Sequence, residues 1–169
     1  MKTIIGIDPG MTGAVAIFSH ANLSTVFDIP SVRDTNKSKR KVDIDQLVDL
    51  FGAHLWPIGG EFRVYMELAH AMPGQGVSGM FSYGRTNGLI EGVLTALGFA
   101  GRQSPIVKVP PAVWKRRLSL LSNAHIKDAA MKKAKAMYPH APLKLVKHHN
   151  RAEAILIGHY GCQMEGLVK

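Results

Sequence analysis

Three short runs rich in β-branched and aromatic residues crowd into the first 29 positions: residues 3–8 (TIIGID), 14–19 and 23–29. The links between them carry Pro9-Gly10 and His20-Ala21-Asn22, residues that suit turns. Strands spaced this closely have no room for a crossover and pair as antiparallel hairpins. After residue 42 the period changes. Ile44, Leu47, Val48, Leu50 and Phe51 fall at helical spacing within residues 43–55, and residues 63–67 (RVYME) read as another buried strand. A long helix is predicted over 81–97, with Leu89, Val93, Leu94 and Leu97 on one side, then a strand over 105–109. Pro110-Pro111 starts a helix over 112–118, since proline is tolerated in a first turn. Asn123 is read as the cap of a helix over 124–138 that stops before Pro139, and Asn150 as the cap of a last helix over 151–161. Residues 31–41 (SVRDTNKSKRK) read as a mobile basic loop, and residues 69–79 as a loop rich in Gly and Met. The order predicts an α/β fold: a mixed five-stranded sheet, three antiparallel strands and then parallel ones, flanked by helices in one domain over residues 1–169.

Composition narrows the function classes. Apolar residues make up 46% of the chain, enough for a sizeable core, so wholesale disorder is excluded. Lys and Arg outnumber Asp and Glu by 21 to 12, which favours a polyanionic partner, nucleic acid before an anionic membrane. A single cysteine, Cys162, forbids an internal disulfide and an all-cysteine zinc site within one chain. No signal-peptide core and no membrane-length apolar run is visible, so the expectation is a soluble, cytoplasmic protein with no membrane partner.

With twelve acids in the chain, where they sit is informative. Asp8 ends the first strand, Glu67 ends the fourth predicted strand, and Glu153 lies in the first turn of the last predicted helix. Acids at the ends of neighbouring central strands converge on one edge of a sheet. A helix crossing that edge adds Glu153, with His149 one turn earlier on the same face. Three carboxylates and an imidazole suit a hard divalent cation, Mg²⁺ or Mn²⁺. Phosphodiester hydrolysis needs an activated water and a stabilised leaving oxygen, and two ions about 4 Å apart serve both. Each residue also has a plainer role: Asp8-Pro9-Gly10 makes a tight turn, Glu153 suits a helix N-terminus, and His149 an exposed loop.

The same residues resemble a known family. GIDPGMTGAVAIF (residues 6–18) is similar to the opening strand and hairpin of RuvC-like Holliday junction resolvases, in particular the phage type. VYMELAHAMPGQGVSGMFSYGRTNGLIEGVLTALG (residues 64–98) resembles their second acidic strand and the helix after it, and VPPAVWKRRL, KDAAMKKAKAMYP and HNRAEAILIGHYG follow in the family's order. The resemblance implies an RNase H-like fold, a homodimer, and paired Mg²⁺- or Mn²⁺-dependent nicks in a four-way DNA junction, without a nucleotide cofactor. It implies catalytic and metal-binding roles for Asp8, Glu67 and Glu153. The family's remaining ligand falls where this chain has His148, His149 and Asn150. His149 is preferred for its four-residue spacing to Glu153, and Asn150 is the alternative.

For DNA contact the sequence nominates Lys108, Lys115, Arg116 and Arg117 around the 112–118 helix. Lys127, Lys132, Lys133 and Lys135 follow, with Lys144 and Lys147 near the proposed cation site. Met72, Phe81 and Tyr83 are candidates to wedge against or stack on an unpaired base, Phe81 being the one better suited to a core or dimer contact. Gly84 and Gly88 lie one helical turn apart and suit close packing, on a partner helix or on the chain's own sheet. Three other readings stand beside the resolvase. One is an actin-like phosphate-binding domain, which needs a second domain to enclose its nucleotide; another is a branched-DNA-binding module that does not cut. The third is a flap, fork or hybrid nuclease of the same fold.

Overall fold

The computed structural model describes residues 2–33, 40–68, 76–121 and 128–168. The N-terminal runs are β1 (Lys2–Asp8), β2 (Ala14–Ser19) and β3 (Asn22–Asp28). A short antiparallel hairpin follows, β4 (Ser31–Arg33) with β5 (Arg40–Val42), then α1 (Ile44–Leu55), β6 (Glu61–Glu67), α2 (Val77–Ala96) and β7 (Val107–Val109). The chain ends with α3 (Pro111–Arg117), α4 (Ala129–Met137), a 3-10 turn (Val146–His148) and α5 (His149–Met164). The main sheet runs β3-β2-β1-β6-β7; β1 pairs antiparallel with β2 and parallel with β6, and β7 is parallel to β6. This is the mixed five-stranded sheet expected from the sequence.

Alternation along β1 builds two cores. Ile5 and Ile7 face a layer containing Leu47, Phe51, Ile90 and Leu94 from α1 and α2. Ile4, with Ala16 and Phe18 of β2, faces Trp114 and the buried stretch of α5. Residue α5 positions 154–162 are buried on every side, because the helix is sandwiched between the sheet and α4. Such a helix loses its amphipathic period, which explains its continuous apolar sequence.

One contact sets how α5 lies on the sheet. A Cβ built on Gly6 would come within 2.3 Å of Gly158 N and 2.4 Å of Ala154 O, so strand and helix backbones touch where both residues lack bulk. Further along, Gly161 sits against Ile4 and Tyr65. Rising α5 numbers thus meet falling β1 numbers, and the N-terminal turns of α5 arrive beside Asp8.

Several local expectations are corrected. Residues 31–33 and 40–42 are paired strands instead of loop, held by Arg40 donating from Nε to Ser31 Oγ at 2.9 Å and from a terminal nitrogen to the Ser31 carbonyl at 2.7 Å. Helix α2 starts at Val77, inside the stretch read as loop, because Gly and Met content is a weak local signal once Gly76 O can accept from Gly79 and Met80. Helix α5 starts at His149, and Asn150 does not cap it; its amide instead donates to the Thr12 carbonyl and, at 3.1 Å, to Thr12 Oγ1. Asn123, expected as a cap, lies outside the described residues. No helix among the described residues is long and apolar enough to cross a membrane.

Candidate active site

The register of the sheet explains the position of the first two acids. Ile7 pairs with Met66 across the parallel β1–β6 ladder, so Asp8 and Glu67 are the next residues on adjacent strands, at their carboxyl ends. That edge is where ligands gather in open α/β sheets. The chain turns sharply after Asp8: Gly13 N donates to Gly10 O at 3.1 Å, and a Cβ on Gly13 would fall 2.1 Å from the Asp8 carbonyl. The hydrogen-bonded turn thus spans residues 10–13, just past the Asp8-Pro9-Gly10 stretch expected to form it, and the Asp8 side chain is buried.

Electrostatics tie the third acid to the pair. Burial, then Glu153, then Glu67 push the Asp8 carboxyl up to about 8, with Lys115 acting in the opposite sense. Glu67 is raised chiefly by burial; donation from Trp114 opposes this, Glu153 adds to it and Lys115 again opposes. The structure thus brings Asp8, Glu67 and Glu153 into one mutual field. They are not closed into a cage: among the described residues, no group of three or more His, Cys, Asp or Glu side chains could hold a metal ion as they stand. The reason is visible in their partners. Trp114 Nε1 donates to Glu67 Oε2 at 2.9 Å, and Lys115 Nζ binds Glu153 Oε1 at 3.0 Å. Hard oxygen donors that repel one another suit a divalent cation in chemical type, and the cation beside them here is the Lys115 ammonium.

Of the three candidates for a fourth ligand, His149 is the one paired with an acid of the cluster, with Nε2 at 3.6 Å from Glu153 Oε1 one turn away. His148 is buried, its Nδ1 accepting from Leu145 N at 3.3 Å. Asn150 is committed to Thr12, fastening the loop after Asp8 to the start of α5.

The nominated DNA contacts divide. Arg116, Arg117, Lys132, Lys135, Lys144 and Lys147 are exposed, whereas Lys133 is partly buried and Lys108 is paired with Glu91. Met72 and Lys127 lie outside the described residues. Tyr83 is half-buried beside the acids, its ring 3.7 Å from where a Gly10 Cβ would be; burial, followed by Glu67 and Asp8, pushes its hydroxyl up to about 12. Phe81 is 73% exposed, so it is no core residue of this chain.

Sequence reading missed three features. Trp114 was given no role from the sequence; it is fully buried, and its indole N–H orients Glu67. Thr12 gave no signal, because its role is a contact with a residue 138 positions away. A cavity of about 450 Å³ lies between the β4–β5 hairpin, the start of α1 and α2, with Met11 of the loop after Asp8 in its wall and Lys41 and Arg85 at its rim. Among the described residues neither of those cations forms an ion pair. The acids remain the better candidate for chemistry, since the cavity contains no comparable cluster of reactive groups.

Comparison with solved structures agrees with this architecture. The chain superposes on Thermus thermophilus RuvC with a TM-score of 0.57 at 13% identity, covering 96% of both chains. It matches T. thermophilus RuvC in complex with a Holliday junction substrate with a TM-score of 0.59 at 13% identity, covering 97% of this chain and 96% of the other. The chain shares the RuvC fold. That fold is RNase H-like. No protein-family model matches the sequence, and comparison with curated proteins finds no match.

Proposed function

We propose that this protein is a structure-selective endonuclease that resolves four-way DNA junctions by divalent-metal-dependent phosphodiester hydrolysis. The observation that carries the reading is the shared field of Asp8, Glu67 and Glu153 at the carboxyl edge of an RNase H-like sheet. Repelling carboxylates half-withdrawn from water are costly without cations, and the net charge of +9 suits a nucleic-acid partner.

Asp8, Glu67 and Glu153, with His149 as the fourth donor, would hold one or two Mg²⁺ or Mn²⁺ ions. Such ions polarise a phosphate and lower the pKa of bound water. The chain's own contribution is positioning. Trp114 orients Glu67, Asn150 and Thr12 fix the loop after Asp8, and the Gly6–Gly158 contact holds Glu153 in register with Asp8. Exposed Arg116 and Lys147, with Lys115, supply phosphate contacts, and Lys41 and Arg85 extend the basic surface past the loop after Asp8. Lys108 contributes less, because Glu91 neutralises it. Tyr83 lies close enough to the acids to border the scissile strand.

A homodimer would place two such sites on one junction. Helix α2 supports this: Val77 and Phe81 are 78% and 73% exposed, and Cβ atoms at Gly84, Gly88 and Gly92 would meet nothing within 4 Å. The chain's own sheet therefore does not require those glycines, and each costs the helix about 1 kcal/mol relative to alanine.

The test is incubation of purified protein with a labelled four-way junction, a matched duplex and a flap, in Mg²⁺, in Mn²⁺ and in EDTA. Paired nicks in the junction with either metal, and none in EDTA, are expected. Tight junction binding without cutting in either metal would instead identify a binding module, and preferential flap cutting a different nuclease of this fold.

A further inference from the structure

Lys115 pairs with Glu153 and acts electrostatically on Asp8 and Glu67 without belonging to either of the strands that carry those two acids. It reaches Glu153 from α3, and its ammonium lies 4.9 Å from the centroid of the Trp114 ring. Trp114 in turn donates to Glu67. One positive charge therefore faces three carboxyl groups. The Lys115 side chain keeps 32% of its exposure, against 13% for Glu153, so it has a path to solvent.

A lysine in this position differs from an arginine. Its ammonium is a compact charge on a flexible four-carbon stem, with no planar fork to lock it onto one carboxylate. A divalent cation and an ammonium compete for the same Glu153 oxygen, and the divalent charge wins wherever several hard oxygens can join it. The released ammonium stays near, since the electron-rich face of Trp114 attracts it from within about 6 Å. The nearest new anion would be a phosphate of the strand that enters the cleft.

Resting on the nuclease reading above, we propose that Lys115 is an exchangeable counter-ion: it holds Glu153 while the acids are free of metal and passes to a DNA phosphate once a divalent cation takes Glu153. Cation binding and DNA binding are then coupled through one side chain. By linkage the coupling is reciprocal: the factor by which DNA tightens the cation equals the factor by which the cation tightens DNA. The device gives Glu153 a partner before substrate arrives and makes the loaded site more favourable on DNA than off it.

The experiment is calorimetric titration of the full chain with Ca²⁺, alone and with saturating four-way junction at fixed ionic strength, strand integrity being checked afterwards on a gel. In the wild type the junction should tighten Ca²⁺ binding on the order of 5-fold or more. Lys115→Met should bind Ca²⁺ more tightly than wild type when DNA is absent, yet lose most of the tightening by DNA. Lys115→Arg, whose planar fork can lock onto Glu153, should lose part of the tightening, and Arg102→Met, which removes an exposed charge elsewhere, should leave it unchanged. Where Lys115→Met does not fold, Lys115→Gln carries the comparison. Equal coupling in the wild type and in Lys115→Met or Lys115→Gln overturns the exchange while leaving the nuclease reading intact. Absence of Ca²⁺ binding in every protein, with or without DNA, overturns both.

Discussion

Helix α5 carries an acid near each end, and the two are treated in opposite ways. Glu165, just past the C-terminal end, is raised by burial but held below its ordinary range overall by donation from Lys2 and Tyr65 and by the Lys2 and Arg63 charges. Lys2 Nζ lies 2.7 Å from one of its oxygens and Tyr65 Oη 2.8 Å from the other. At the other end Glu153 has Lys115 as a partner but shares its surroundings with Asp8 and Glu67, and there the neighbouring Asp8 is raised to about 8. An acid that serves the fold comes with enough donors to satisfy it. An acid cluster left short of positive charge is unfavourable for the fold, and unfavourable clusters persist where a ligand completes them. The comparison separates structural carboxylates from candidate catalytic ones without reference to any relative.

The sharpest way to break the comparison is Asp8→Asn. Junction cutting should fall by more than about 100-fold, since the proposed hydrolysis would need Asp8 among its cation donors. Junction binding should remain; cutting at the wild-type rate would remove Asp8 from the site. The same variant reports on stability. The folded chain binds the Asp8 proton more tightly than the unfolded chain does, so in EDTA the wild type should lose stability as pH rises from about 4 to about 8 and level off above that. Asp8→Asn should flatten that part of the profile, measured as Tm against pH; an unchanged slope would mean that Asp8 is not the group responsible.

Next in size is Gly6→Ala, at the backbone contact that holds α5 against β1. Its methyl would overlap Gly158 N and Ala154 O, and overpacking of this kind costs about 3 kcal/mol. Urea unfolding measures it. A Gly6→Ala chain as stable as the wild type would show that α5 can slide, and that the placing of Glu153 does not depend on this contact.

A smaller loss, about 1–2 kcal/mol, is expected for Glu165→Gln, which leaves Lys2 without its carboxylate while Arg63 keeps Glu61 and Tyr65 keeps an acceptor. Cutting should not change, because Glu165 lies at the far end of α5. The smallest effect belongs to Asp28→Asn. Arg151 binds Asp28 through two nitrogens and holds it below its ordinary range, yet Asp28 is 54% exposed and solvent screens the pair. A change of a few tenths of a kcal/mol in urea is expected; a loss as large as that of Glu165→Gln would show that the two structural acids are alike.

Much of this molecule was legible in the chain. Hairpin spacing and the change of period gave the mixed sheet and its order, because both signals are local. The acids were legible as strand-end and helix-start residues, and the spacing of His149 to Glu153 was a helical one. The β4–β5 hairpin was not, since short edge strands rich in Lys and Arg resemble a loop until they pair. The positions of Trp114, Thr12 and Asn150 were not legible either, for each acts across a long sequence separation. Lys115 was legible as a cation but not as the partner of Glu153.

By itself the sequence determined which residue types could meet: hard oxygen donors in small number, at ends of regular elements, in a strongly basic chain. Only the tertiary structure decided that Asp8 and Glu67 end adjacent parallel strands, that α5 settles glycine against strand, and that Lys115 faces three acids. The physical reason is range. Turn chemistry and periodicity act over a few neighbouring residues, whereas a shared electrostatic field depends on distances that exist only once the sheet has its register and the helices lie on it.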